Sequence, residues 1–237
     1  MPKPSQRILV ATTNPGKVRE LRGMLGDAVR WVALADFPDL AEVVEDGATF
    51  AANARKKATE YAKATGLWTL ADDSGLVVDA LGGAPGVKSA RFSGDAPPGT
   101  DRKVIDKRNI AKLLELLRDV PPERRTARFV CHLCLATPQV AQPPSAGDKA
   151  ANSPPPGAGV PHNVLIETEG RVEGRIIDEP AGTNGFGYDP VFFVPKLGKT
   201  VAQLPDDQKN AISHRGNAIR KLKPLLIDML KHGSVEA

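Results

Sequence analysis

Short apolar runs broken by turn-forming residues organise the first hundred positions. Ile8 to Ala11 is an apolar run of the kind that makes a buried strand, and Thr12-Thr13-Asn14-Pro15-Gly16-Lys17 interrupts it. Val18, Leu21 and Leu25 then recur at helical spacing, with Pro15 placed for a first turn and Gly26 for a stop, so the pattern predicts strand, polar turn, helix. Trp31 to Leu34 predicts a second strand. A helix beginning near Thr49 puts Phe50, Ala54, Ala58 and Tyr61 on one face, leaves Lys56, Lys57 and Lys63 off it as a solvated charged face, and ends at Gly66. Trp68 to Ala71 predicts a strand that stops at Asp72-Asp73-Ser74-Gly75, and Leu76 to Val78 predicts another short one. Gly82, Gly83, Gly86 and Gly94, with Pro85, then shape a loop leading to Ser89 and Arg91.

The second half follows the same logic with longer elements. Ile110, Leu113, Leu114 and Leu117 form one stripe of a helix over 101 to 118, stopped by Pro121 and Pro122, that reads as purely structural. A strand over 126 to 137 comes next. From Pro138 to Pro161 the composition turns to Pro, Ala, Gly and Ser with almost no large apolar residue, predicting a flexible loop within one continuous fold spanning 1 to 237. Strand patterning resumes on either side of Gly170, as the two arms of a hairpin would. Ser213, His214 and Arg215 open a C-terminal helix in which Pro224 predicts a kink or a break.

Composition narrows the class. With 237 residues, 41% of them hydrophobic, the chain can bury a sizeable core, and no run approaches the ~18 apolar residues that a membrane span needs. Ile8 to Ala11 is too short for a signal peptide, so a soluble, cytoplasmic protein is expected. The net charge is +4, but 28 acidic residues are mixed among 32 basic ones, which suits a small anionic substrate better than a DNA tract. Cys131 and Cys134 have CxxC spacing. They fall in the predicted strand over 126 to 137, where positions i and i+3 point to opposite faces and share no metal.

Candidate chemistry collects in four places. Asp72 and Asp73 are adjacent carboxylates, which raise each other's pKa unless a cation neutralises them, and this makes them a candidate magnesium site. The Thr12 to Lys17 turn offers backbone NH groups, hydroxyls and an ammonium to an anion, although it lacks the spacing of a Walker loop. Phe186 and Tyr188 sit between glycines, where they either stack on a base or anchor the loop in the core. Ser213-His214-Arg215 suits an anion or a keto oxygen.

Four motifs together resemble the inosine triphosphate pyrophosphatase family: Thr12 to Lys17, Ala71 to Arg91, Gly185-Phe186-Gly187-Tyr188-Asp189-Pro190, and Ser213-His214-Arg215. The resemblance covers nearly the whole chain except the Pro-rich insertion. It implies an α/β fold in which a long mixed sheet is flanked by helices, with an active-site cleft between two lobes, in a homodimer. It also implies hydrolysis of non-standard purine nucleoside triphosphates (ITP, dITP, XTP) to the monophosphate and pyrophosphate, with Mg2+ as cofactor, no stable nucleic-acid complex and no membrane. By motif position, Asp73 is the catalytic base and a metal ligand, with Asp72 and Glu45 also offered to the metal. Thr12, Thr13, Asn14, Pro15, Gly16, Lys17 and Lys57 hold the triphosphate, and Ser74 contacts the substrate. Phe186, Gly187, Tyr188, Asp189, Lys209, His214 and Arg215 hold the base and sugar. In this family paired glutamates commonly precede the second helix, and here Val44 stands where the first would be. Two rivals are a pyrophosphatase for modified pyrimidine nucleotides and a single-strand binder using Phe186, Tyr188 and lysines as a stacking platform.

Overall fold

The computed structural model describes residues 6–26, 29–138 and 163–232. Strand β1 (Arg7–Val10) pairs in parallel with β2 (Arg30–Ala33), across helix α1 (Pro15–Leu25), and with β3 (Trp68–Val78), which follows α2 (Phe50–Thr65). β3, β4 (Thr126–Ala136) and β5 (Val164–Ile176) are antiparallel, and β6 (Phe192–Val194) and β7 (Lys199–Thr200) extend the same sheet. Its order is β2-β1-β3-β4-β5-β6-β7, a mixed sheet within the expected α/β class. α3 (Arg102–Leu116) lies between β3 and β4 in sequence, and α4 (Asp206–Ile212) and α5 (His214–His232) follow β7. The helix starts obey local chemistry. Asn14 Oδ1 accepts from the Gly16 and Lys17 amides at the start of α1, and Thr49 Oγ1 accepts from the Ala52 amide at the start of α2. Among the described residues no helix is long and apolar enough to cross a membrane.

Three expectations are corrected. Asp72-Asp73-Ser74-Gly75 does not end a strand, because β3 runs through it and every residue from Thr69 to Val78 has a register partner on β4. Pairing with a long neighbour overrides the poor strand propensity of these four residues. Gly170 does not turn a hairpin either. It lies mid-strand in β5, opposite Cys131, where a Cβ would come within 2.1 Å of the His214 carbonyl and 2.3 Å of the Ala218 amide. The missing side chain is what lets α5 press against the sheet. Finally, of the kink or break expected at Pro224, the break does not occur, since α5 continues to His232. Its stripe of Ala218, Ile219, Leu222 and Leu226 is buried on the sheet, and that packing outweighs the ~3 kcal/mol that an internal proline costs. The Pro-rich stretch beyond Pro138 lies outside the described residues.

The core is divided by the sheet. On the face of β3 carrying Leu70, Asp72, Ser74, Leu76 and Val78, one apolar cluster (Ile8, Leu70, Leu133, Leu222) packs under α1 and α5, and another (Leu76, Phe129, Phe192) packs at the far end. Asp72 and Ser74 lie between the two clusters. The opposite face, with Ala71, Cys134 and Ala136, is covered by Ala54, Ala58 and Tyr61 of α2. Cys131 and Cys134 are buried free thiols in separate clusters, as the strand geometry required. Burial pushes the Cys131 thiol up to about 12 and raises that of Cys134 further, so both are inert as thiolates at neutral pH.

Candidate active site

The site begins where β1 ends. Val10 is the last β1 residue paired with β3, opposite Leu70, so beyond that point one edge of β3 has no strand beside it. That edge is covered by side chains instead. Lys57 Nζ donates to the Asp72 carbonyl at 2.5 Å, Asp73 Oδ1 accepts from the Ser74 amide at 2.9 Å, and Ser89 Oγ accepts from the Leu76 amide at 2.9 Å. The gap lies at the carboxyl end of a parallel strand, where open α/β sheets place their ligands. The turn from Thr12 to Lys17 leaves β1 into this gap.

Because β3 continues through them, Asp72 and Asp73 point to opposite faces. They do not form the shared corner expected from sequence. Asp72, 1% exposed, sits 3.0 Å from Lys17 Nζ and 3.2 Å from Arg215 Nη2. Burial opposes its ionisation, yet Lys17, Arg215 and Lys57 hold the carboxyl well below the usual range. Arg215, also 1% exposed, binds Ser74 Oγ at 3.0 Å and pairs with Glu20 of α1. Lys209 bridges Asp189 at 2.9 Å and Glu20 at 3.4 Å. These ion pairs tie α1, β3, α4 and α5 together beneath the cavity.

Across the strand, Asp73 Oδ2 accepts from Asn53 Nδ2 at 2.9 Å. Burial, reinforced by the Glu45 charge and only partly offset by Lys57, pushes the Asp73 carboxyl up to about 6. Lys57 is not on a solvated helix face. It is buried, donates to Glu45 Oε1 at 2.7 Å, and keeps its charge because Asp72, Glu45 and Asp73 outweigh its desolvation. Lys56, which reaches out to Asp46, is the lysine that fits the expectation.

A cavity of about 190 Å³ gathers Thr12, Thr13, Asn14, Lys17, Glu45, Asp73, Ser74, Phe186, Gly187, Tyr188, Asp189, Lys209, His214 and Arg215. It opens into two clefts, one of about 540 Å³ bordered by Pro15 and Gly16, the other of about 1170 Å³ bordered by Lys57. Asp72 lines none of these and lies beneath. The two aromatics of the glycine loop divide their duties. Tyr188 is a core anchor whose hydroxyl donates to the Ser89 carbonyl at 3.0 Å. Phe186 remains at the cavity, with Lys209 Nζ 4.7 Å from its ring centre and Arg215 5.9 Å away. The buried Tyr188 offers no face for stacking, which removes half of the single-strand platform. His214 stacks on Phe129 with ring centres 5.0 Å apart, and burial with the Arg215 charge lowers its pKa well below the ordinary value, so it is neutral.

Sequence reasoning missed three residues. Glu20 anchors Arg215 from 195 positions away, a pairing no local pattern reveals. Asp106 accepts from the Gly187 amide at 2.8 Å and lies 3.0 Å from Arg102, so α3 is not purely structural but fixes the Phe186 loop. Asn53 had a legible signal, since a polar residue four positions before Lys57 shares its side of α2.

Asp73 and Glu45 are the carboxylates that line the cavity, whereas Asp72 lies beneath it in its ion pairs with Lys17 and Arg215. Among the described residues no cluster of three or more metal-ligating side chains exists, which leaves two carboxylates beside a cavity. That donor set fits magnesium, which keeps several waters and needs one or two carboxylates with substrate phosphates completing the shell. Val44, 68% exposed, offers no donor, and Glu45 is the residue of this pair that reaches the cavity.

A profile of the Ham1 family matches residues 8–225. The chain belongs to the Ham1 family. It is 47% identical over 218 residues to the dITP/XTP pyrophosphatase of Geobacter sulfurreducens, covering 92% of this chain and 94% of that one. With the dITP/XTP pyrophosphatase of Escherichia coli K12 it shares 45% identity over 230 residues, 96% of this chain and all of the relative. The Ham1 protein structure from Staphylococcus aureus superposes with a TM-score of 0.72 at 37% identity, covering 93% of this chain and 98% of that one. The dITP/XTP pyrophosphatase structure from Mycobacterium abscessus gives 0.67 at 42% identity, covering 92% and 100%. All four motifs that carry the sequence resemblance fall within the family match, and each lines the 190 Å³ cavity, the first three through Thr12 to Asn14, Asp73 to Leu76 and Phe186 to Asp189. The fourth contributes His214 and Arg215.

Proposed function

We propose that this Ham1-family chain is a nucleoside-triphosphate pyrophosphatase that hydrolyses non-standard purine nucleotides, dITP, ITP, XTP and dXTP, to the monophosphate and pyrophosphate. The observation that carries the reading is identity of 42–47% over nearly the full length to relatives named dITP/XTP pyrophosphatase. The chemistry of the cavity supports it. Lys17 and the Thr12 to Asn14 turn receive phosphate oxygens at one end, and Phe186 stacks on the base at the other. His214, neutral, and Arg215 lie on the base side, where a purine 6-keto group needs donors. Asp73 and Glu45 would hold magnesium, which would supply neutralisation of the phosphate charge. Asp73 accepts the proton of the water that attacks the α-phosphorus, from a carboxylate that Asn53 and the Ser74 amide hold at both oxygens. Lys57, already charged and buried beside Glu45, steadies the negative charge that builds on the phosphates. No covalent intermediate is required. The enzyme works as a cytoplasmic homodimer without a stable nucleic-acid complex, in keeping with its buried, reduced cysteines.

A panel of dITP, ITP, XTP, ATP, GTP and modified pyrimidine triphosphates, read by pyrophosphate release with magnesium, tests the proposal. Turnover of the first three with little from ATP is the expected result, because a site donating to O6 leaves buried groups unpaired against adenine. Equal kcat/KM for ITP and ATP, or a preference for pyrimidines, would overturn it.

A further inference from the structure

Residues 42–47 form an acidic strap that carries Glu45 past the cavity, and several bonds hold it down. The Tyr61 hydroxyl accepts from the Val43 amide at 3.1 Å, and Arg91 donates to the Glu45 carbonyl at 3.0 Å. Asn53, 1% exposed on α2, accepts from the Gly47 amide at 2.7 Å through Oδ1. Of these ties, only that of Asn53 also reaches Asp73, through Nδ2 at 2.9 Å. Its orientation is fixed by its partners, since an amide NH only donates and an ionised carboxylate only accepts. The fit is close on the strap side, where a Cβ on Gly47 would lie 2.6 Å from Asn53 Oδ1 and 2.9 Å from the Ala52 Cβ. Lys57 also bridges the strap and β3, donating to Glu45 Oε1 at 2.7 Å and to the Asp72 carbonyl at 2.5 Å, and Asn53 is the bridge that holds the Asp73 carboxylate itself. The second Asp73 oxygen accepts from the Ser74 amide at 2.9 Å, so the carboxylate plane is held at both oxygens.

We propose that Asn53 is the positioning residue of this site, locking Asp73 against the strap that carries Glu45 so that the two carboxylates meet one divalent cation as a pair. The proposal rests on the pyrophosphatase reading for its consequence, but its geometry is testable without turnover. Asn53→Ala removes both bonds, whereas Asn53→Asp keeps an acceptor for Gly47 and loses the donor to Asp73. In the intact protein without nucleotide, Mn2+ affinity measured by electron paramagnetic resonance should fall at least tenfold in Asn53→Ala. Hydrogen exchange of the Gly47 amide should accelerate at least tenfold in Asn53→Ala and stay near the parent rate in Asn53→Asp. In turnover, Asn53→Asp should lose at least 100-fold in kcat with KM for dITP within threefold. A general loss of fold would instead raise exchange throughout and change both constants.

If Asn53→Ala folds and keeps Mn2+ affinity within twofold and Gly47 exchange unchanged, the proposal fails. If Asn53→Ala does not fold, Asn53→Asp decides through kcat, and a value within threefold of the parent overturns it. Should the parent release no pyrophosphate from any nucleotide, the functional reading falls while the Mn2+ and exchange measurements still judge Asn53.

Discussion

Asp72 and Asp73 are neighbours in sequence with opposite fates. The strand turns Asp72 toward Lys17 and Arg215, where it stays ionised despite full burial, and turns Asp73 toward Asn53 and Glu45, where ionisation is resisted. One carboxylate is stabilised in its charged form and the other is not. Both carboxylates are buried. The charges within reach decide the difference, Lys17, Arg215 and Lys57 at Asp72 against Lys57 opposed by Glu45 at Asp73.

The largest expected effect comes from the Asp73 side. Asp73→Asn should lower pyrophosphate release from dITP by ~100- to 10,000-fold at saturating magnesium, since an amide accepts no proton and is a poorer magnesium ligand. Its melting temperature should not fall below that of the parent. Activity within tenfold would mean that the reacting base lies elsewhere.

Asp72→Asn should do the reverse to the fold. Removing one partner of a buried pair leaves Lys17 without its carboxylate and Arg215 with Glu20 alone, a loss of about 3 to 5 kcal/mol in urea unfolding. A change under about 1 kcal/mol would make the two faces equivalent and remove the contrast. Gly170→Ala attacks the same face through its helix. The added Cβ meets α5 backbone that cannot swing aside, so a loss of about 2 to 3 kcal/mol by thermal melting is expected, and a parent-like melt would show that α5 docks loosely.

The smallest effect is in pH. The folded pKa of Asp73 lies near 6 against an ordinary 3.8, so the native state binds the extra proton and ionisation above that window destabilises it. Without metal, the stability advantage of Asp73→Asn over the parent should therefore shrink by about 1 to 2 kcal/mol as pH falls from 7.5 to 5. Asp72 has the opposite sign. Its depressed pKa contributes stability that is present above 3.8 and is lost only in stronger acid. Parallel pH–stability curves for parent and Asp73→Asn would contradict the assignment.

Much of this site was legible in the sequence as a set of parts. Hydrophobic period and turn chemistry gave β1, α1 with its Pro15 start, α2 from its Thr49 cap, and α3 close to their observed bounds, because caps and amphipathic stripes act within a few residues. The four motifs named the residue types that line the cavity. Where strands stop was not local. β3 passes through Asp72 to Gly75 and β5 through Gly170 because the long strand β4 lies beside both of them, and a strand's length is set by its neighbour as much as by its own residues.

What the sequence determined by itself was therefore the kit: carboxylates, lysines, an anion-receiving turn and an aromatic glycine loop, in a fixed order along the chain. Tertiary structure decided which of them work together. The early end of β1 opened the edge of β3, the two-residue pleat sent Asp72 and Asp73 to different faces, and contacts between distant elements gave Arg215 its Glu20 and Gly187 its Asp106. Such pairings depend on register and on which backbones approach, and these are properties of the assembled sheet and helices that no window of sequence contains.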